Sequence, residues 1–432
     1  MARFLFCPVP HNGALFPSVP VALELCSRGH EVAYVINPEL EPVVSEQKLR
    51  CFVVPGGVYG PLVSNRRASQ PEGPETTGFH QYLLGPLASQ VESLDRIATD
   101  FAADVLVDGV LPLAPRVVSE LRGIPNASIT TAVFPIPTRD ALFPSGDGQL
   151  PPENELGRSL ARLAQIVQRE RLGDEVIAWN ATRASLGLRP VTEHPCLGAS
   201  SPYLVMLPWP PAFEYPRSDL PSQFWFVGPL VWQANLDGVP TSLSILEKTT
   251  PVVFISQGTV FNRDPVIVKL ALQALACEPV QVVATVCRPF DPMEFEPIPG
   301  NAILERYIPF SALADRLSLV VTHAGPGTVH AALSAGIPVI VLPLAVDQFE
   351  VAARCVYSGA GIRLDPATCT VERLRAAARA VLGEPHYRAN AARLQREYAR
   401  LGGPRLAATL LEQLATTRRP VVRTDSRVLT PR

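Results

Sequence analysis

The sequence predicts an α/β protein of two doubly wound domains facing a cleft, and three observations carry that prediction. Short β-branched and aromatic runs alternate with helical patterns, the habit of stacked βαβ units around a parallel sheet. The alternation breaks off near residue 132 and resumes with the same character after residue 250. The chain's 432 residues also exceed what one ordinary core encloses, so two domains of roughly 200 residues each are expected.

Taken in order, Phe4–Pro8 reads as a strand, Val19–Arg28 as a helix closed by Gly29, and Glu31–Ile36 as the next strand. Asp104–Val107 and Asn126–Thr130 follow as strands on either side of a helix from Leu113 to Arg122. From Ala132 to Pro152 the chain turns rich in Pro and Gly. A charged helical pattern then runs from Glu155 to Leu186 with a break near Gly173. That segment is either an excursion that shapes a pocket or a packing pair of helices. Past Gly228-Pro229 a low-charge stretch reads as a linker, and Pro251–Ser256, Gln281–Val286, Leu319–Thr322 and Pro338–Leu342 are the strands of the second domain. The expected boundaries are 1–230 for the first domain, 231–250 for the linker and 251–415 for the second domain. The basic, polar stretch 416–432 is expected to be a disordered tail.

Composition narrows the function. Hydrophobic residues make up 47% and charged residues 18%, with a net charge of -2, which fits a globular enzyme and argues against a nucleic-acid partner. The eight cysteines form no CxxC pair and no ligand spacing with histidine, so they read as reduced core residues, with no metal site. The apolar run from Phe4 to Val9 is interrupted by Pro8 and followed by Pro10 before a signal peptide is built, and no apolar stretch is long enough to span a membrane. A cytoplasmic protein is expected.

The most informative segment is THAGPGTVHAALSAG, Thr322 to Gly336. A strand runs straight into glycines that open a helix, and such a helix start offers unpaired N–H donors and a positive dipole end to an anion. Thr328 adds a hydroxyl at the helix start, and His323 stands at the strand end. The bland alternative is a Gly-rich turn with a buried histidine. A second loop, FISQGTVF, places Ser256, Gly258 and Thr259 after another strand's C-terminal end, the edge where open α/β sheets bind ligands. Two such loops favour an extended diphosphate ligand. There is no GxxxxGK[ST] loop and no GxGxxG after the first strand, so ATP hydrolysis and nicotinamide chemistry lose ground.

Across RYIPFSALADRLSLVVTHAGPGTVHAALSAGIPVIVLPLAVDQF and on to GAGIRL, the sequence resembles the family 1 glycosyltransferases, with weaker echoes at SRGHEV, LVDGVLPLAPRVVSELRGIP, FVGPLV and the SQGT loop. The resemblance implies the GT-B fold and a hexosyltransferase of the bacterial natural-product type. It gives Tyr307 the place of the aromatic that stacks on the nucleobase, with the Ile308 backbone reading the base edge. His323, Gly325, Gly327 and Thr328 fall on the diphosphate positions, joined by Ser256, Gly258 and Thr259. Asp347-Gln348 falls on the acid–amide pair that hydrogen-bonds hexose hydroxyls, which leans toward UDP-glucose over a dTDP-deoxysugar. The implied reaction is inverting and metal-independent, with no cofactor beyond the donor, a small hydrophobic acceptor, and a monomer or weak dimer. No DxD triplet lies near the donor loops to seat a divalent metal.

One departure matters. The family's catalytic histidine stands in a GHxxP motif, and here the stretch reads Gly13-Ala14-Leu15-Phe16-Pro17. Asp108, in LVDG, keeps the position of the histidine's partner. Three readings stay open: Asp108 as the base directly or through a water, His11 moving into the gap, or a donor site that suffices by stabilising the leaving diphosphate. Asp108 ranks first and His11 second. The break also leaves room for a nucleotide-sugar hydrolase or epimerase, or for a catalytically inactive nucleotide-sugar-binding helper subunit. His80 and Gln81, and the aromatics Phe134, Phe143, Trp209, Phe213, Trp225 and Trp232, are weaker candidates for an acceptor pocket, while His30 reads as structural.

Overall fold

Strands that are buried on both faces read as continuous apolar runs, and RFLFC, EVAYVI and LSLVVT all become interior parallel strands for that reason. In the computed structural model, which describes residues 1–54, 83–109, 111, 113–130, 138, 148–196, 201–232, 240–258, 264–286, 290–345 and 347–424, the chain forms two parallel sheets. The first contains β1 (Arg3–Cys7), β2 (Glu31–Ile36), β3 (Arg50–Val53), β4 (Val105–Asp108), β5 (Asn126–Ile129), β6 (Leu204–Leu207) and β7 (Phe224–Phe226), in the order 3-2-1-4-5-6-7. Its helices are α1 (Asn12–Leu15), α2 (Val19–Ser27), α3 (Glu41–Ser45), α4 (Leu87–Phe101), α5 (Ala114–Arg122), α6 (Glu155–Arg171) and α7 (Gly173–Ser185).

The second sheet contains β8 (Val252–Ser256), β9 (Gln281–Thr285), β10 (Ala302–Glu305), β11 (Leu317–Thr322), β12 (Val339–Val341) and β13 (Gly361–Arg363), in the order 10-9-8-11-12-13. It is accompanied by α8 (Val266–Leu275), α9 (Pro326–Ser334), α10 (Gln348–Tyr357), α11 (Val371–Gly383) and α12 (Pro385–Ala399), and α13 (Pro404–Thr417) follows them in the chain. In each sheet the strand order reverses direction once, between β1 and β4 in the first and between β8 and β11 in the second. These switch points open crevices at the strands' C-terminal ends.

Two boundary expectations are corrected. Nearly all of helix α13 falls within the stretch expected to belong to the second domain, yet Ala407, Leu410, Leu411 and Leu414 are buried in the core of the first, where α13 packs against α2, β4 and β6. Its apolar face needs a partner, and polar pins hold it there: Glu412 accepts from Arg28 at 2.7 Å and pairs with His30 Nε2 at 2.9 Å. His30 therefore has the structural role its turn position suggests. The supposed tail continues the docking as far as residue 424. Val421 is fully buried, its N–H bonds the Tyr203 carbonyl at 2.9 Å, and its own carbonyl accepts from Trp225 Nε1 at 2.8 Å.

The segment 155–185 resolves into two helices broken at Leu172-Gly173, and α7 is fixed by Arg183, whose guanidinium reaches both Glu120 oxygens at 2.9 and 3.0 Å. Among the described residues no helix is long and apolar enough to cross a membrane.

Candidate active site at the two strand-end crevices

In the second domain, β8 and β11 lie side by side with Ser256 opposite Thr322, so the residues that follow them converge at the switch point. His323 is buried between two glycines. A β-carbon on Gly258 would stand 2.3 Å from the ring and one on Gly325 2.4 Å, so glycine is required on both sides. Gly258 also sits at φ +80°, where a side chain strains the backbone. Between His323 and Gly325 in the chain, Ala324 holds φ +67°, a left-handed alanine packed without exposure. Such strain at a site is held in place by its surroundings. Burial lowers the His323 pKa to about 4 despite a hydrogen bond with the Ser256 backbone, so the ring is neutral, with its Nδ1 3.2 Å from the Thr322 hydroxyl.

Helix α9 starts directly after this ring. Gly325 caps it without a side-chain bond and Pro326 supplies no N–H, which leaves the amides of Gly327 and Thr328 at the helix start. A helix start of this kind, with its dipole end and free amides, can take an anion beside His323. The β8 loop is braced from behind by Gln257, whose side-chain Oε1 accepts from the Ile267 N–H at 3.1 Å. Thr259 lies outside the described residues.

The other predicted donor residues flank this centre. Tyr307 and Ile308 follow β10, with Tyr307 half-buried and Ile308 buried. Asp347 is the N-cap of α10, beyond β12, and burial raises its pKa to about 6. Gln348 is buried, and its Oε1 accepts from the Leu344 and Ala345 N–H groups at 2.8 and 3.1 Å. The amide carbonyl is thus spent on bracing the turn, and its NH₂ is the part left to meet a ligand.

In the first domain the switch point brings Ala14, in the helix after β1, to one cavity with Asp108, the last residue of β4. Asp108 is buried, and its carboxylate accepts from Asn126 Nδ2 at 3.0 Å and from the Ser128 hydroxyl. Burial raises its pKa to about 7, against the opposing pull of Arg116 and these two hydrogen bonds. A cavity of about 10 Å³ adjoins it, lined by Ala14, Ser18, Phe6, Val9, Gly109 and Ile129 among others. That is the threshold volume for one water.

His11 does not stand free to fill the gap. Its Nδ1 accepts from the Ala14 N–H at 3.2 Å as the cap of α1, and burial lowers its pKa to about 4. A neutral ring with Nδ1 accepting carries its proton on Nε2, so in this pose it is a donor.

Sequence reasoning missed Asn126 and Ser128. The signal was present, since two polar residues at i and i+2 of a buried strand point to one face, here the face of Asp108. Of the weaker candidates, Trp209 and Phe213 are buried against His330, Trp225 is tied to Val421, and Trp232 packs on Phe16. These four are core or joint residues. His80, Gln81, Phe134 and Phe143 lie outside the described residues.

Residues 273–414 match the family described as "Erythromycin biosynthesis protein CIII-like, C-terminal domain". The 4'-demethylrebeccamycin synthase of Lentzea aerocolonigenes is 36% identical, over 96% of this chain and 99% of its own length. Among solved structures, the glycosyltransferase of kitacinnamycin superposes with a TM-score of 0.74 at 23% identity, over 95% of this chain and 98% of that one. A spinosyn rhamnosyltransferase solved with thymidine diphosphate gives 0.69 at 22% identity, over 95% and 100%. The two parallel-sheet domains are therefore a GT-B pair, the helper-subunit alternative gives way to an enzyme, and the chain belongs to the family 1 glycosyltransferases of macrolide and other natural-product pathways.

Proposed function

We propose that the chain is an inverting, metal-independent hexosyltransferase that uses UDP-glucose, with a dTDP-deoxysugar as the rival donor, and glycosylates a small apolar or aromatic acceptor in the cytoplasm. One observation carries the donor reading. Along the C-terminal edge of the second sheet the order is Tyr307 after β10, Ser256 after β8, His323 after β11 and Asp347 after β12, with β9 between the first two strands. That is the order base, diphosphate, sugar. Four strand spacings cover about 19 Å, the length scale of an extended nucleotide sugar. The thymidine diphosphate held by the spinosyn enzyme keeps dTDP donors in contention.

In the reaction, an acceptor lone pair attacks the anomeric carbon from the face opposite the diphosphate. The bond from that carbon to the diphosphate oxygen breaks, and its electron pair leaves with the diphosphate. The helix start at Gly327 and Thr328 stabilises the charge that develops there. The acceptor's proton passes to the Asp108 carboxylate, directly or through one water in the cavity beside Ala14. A pKa of about 7 suits a base working near neutrality. His11 ranks second because its Nδ1 lone pair is engaged.

The test is turnover of purified protein with UDP-glucose and dTDP-glucose against a panel of phenolic, enolic and indolic acceptors, with and without EDTA. A β-linked product from an α-donor, unaffected by EDTA, is expected. Free glucose formed at the same rate without any acceptor would instead favour the hydrolase reading.

A further inference from the structure

Helix α10 begins at Asp347-Gln348 and then runs directly into the first domain's territory. Its Arg354 is 1% exposed, and the guanidinium reaches Glu214 Oε1 from Nη2 at 2.6 Å and from Nε at 3.0 Å, and Glu350 Oε2 from Nη1 at 3.1 Å. Glu214 lies between β6 and β7, in the first domain, where Arg217 approaches it at 3.4 Å. The Tyr215 ring sits under the Arg354 guanidinium at 4.2 Å. Glu350 and Arg354 are one turn apart on α10, so the cluster grips the helix within two turns of the Asp347-Gln348 pair.

A second contact, made by a different part of the first domain, holds the same helix end. Gly148 packs so closely that a β-carbon there would lie 2.0 Å from the Phe349 carbonyl oxygen, and its φ is +68°. Its N–H hydrogen-bonds Glu350, and its carbonyl accepts from Arg363 Nη1 at 3.0 Å. Tyr215 joins the two contacts, its hydroxyl donating to the Gln149 carbonyl at 3.3 Å.

Buried ion clusters of this kind contribute little net stability compared with well-packed apolar replacements, and their better-attested use is to fix a register. Here the fixed element is the first turn of α10. We propose that Glu214, Arg354 and Glu350, together with Gly148, form an interdomain latch that positions the Asp347-Gln348 turn and so sets discrimination between donor sugars. The latch rests on the reading that Asp347 and Gln348 meet the hexose. Its members are positioning residues: a shift of the turn by about 1 Å misplaces hexose contacts, a displacement that can cost up to about a hundredfold in rate. The cradle proposed for the diphosphate, at His323 and the start of α9, is built from other elements than α10.

Arg354→Met and Gly148→Ala disturb the latch by unrelated means, loss of the charge and steric intrusion, and Arg354→Lys keeps the charge while losing the forked geometry. Asp347→Asn serves as the control for the sugar reading. Each purified full-length variant is measured for UDP affinity by calorimetry, and for KM and kcat with UDP-glucose and with UDP-galactose, which differ in one hydroxyl's configuration. In both latch variants UDP affinity is expected to stay within about threefold. The preference between the two donors is expected to compress at least fivefold, mainly through KM, and Arg354→Lys is expected to fall between wild type and Arg354→Met. Unchanged donor preference in both latch variants overturns the latch. So does a loss of UDP affinity as large as the change in preference, which marks general damage. If Asp347→Asn also leaves the preference untouched, the sugar reading itself has failed and the latch falls with it.

Discussion

The two crevices share a topology and are furnished in opposite ways. In the second domain the crevice is made of backbone: a helix start at α9, two glycines against His323, and a left-handed alanine next to that histidine in the chain. In the first domain it is made of side chains drawn from three strands, with Asp108 held by Asn126 and Ser128 and a small cavity beside Ala14. A diphosphate is the same in every nucleotide sugar and suits a fixed backbone cradle. An acceptor differs from enzyme to enzyme, and side chains can change without disturbing the sheet.

If that division is right, the largest effect belongs to Asp108. Asp108→Asn should lower kcat by about 10²–10⁴, the range for losing a general base, while UDP affinity measured by calorimetry stays unchanged. Loss of both would erase the distinction between the crevices. Next come Gly258→Ala and Gly325→Ala, whose β-carbons would intrude on His323 at 2.3 and 2.4 Å. They should weaken UDP binding by about 10–100-fold, roughly 1.4–2.7 kcal/mol, with Gly258 the more severe because its φ is positive.

The third prediction concerns pH. Asp108 has a folded pKa of about 7 against 3.8 as the ordinary value, so the folded state keeps its proton through a window in which the unfolded chain releases it. Stability from this group therefore falls as pH rises from about 4 to about 7, by at most about 1.4 kcal/mol per unit. Asp108→Asn should flatten that slope in denaturant titrations, and wild-type kcat/KM should rise through pH 7 as the carboxylate ionises. The smallest effect is His11→Ala. Losing its cap on α1 should cost about 1 kcal/mol and leave kcat within tenfold in steady-state assays. A hundredfold loss would move His11 ahead of Asp108.

What was legible in the sequence follows the same division. The α9 cradle could be read because glycines, a histidine and a helix start fall within a few consecutive residues, and local pattern carries local geometry. Asp108 and Ala14 were visible as positions, but the carboxylate's partners lie on a strand eighteen and twenty residues away, joined only by sheet pairing. The Glu214–Arg354 contact spans 140 residues, and no periodicity announces it. Helix α13 was assigned by chain order to the second domain, although its Leu410, Leu411 and Leu414 face is satisfied only on the first. β6 and β7 went unread because each is a short run of three or four residues set among prolines and turns.

That return of α13 makes the second domain an insertion within the first. The chain leaves at Val227-Gly228 and comes back at Gly403, and these points touch, with the Gly403 N–H bonding the Val227 carbonyl at 2.7 Å. A hybrid enzyme that exchanges second domains between relatives therefore needs two junctions, one at each side of this contact. A single crossover in the linker would carry α13 away with the second domain, and strip the first domain of a helix from its own core.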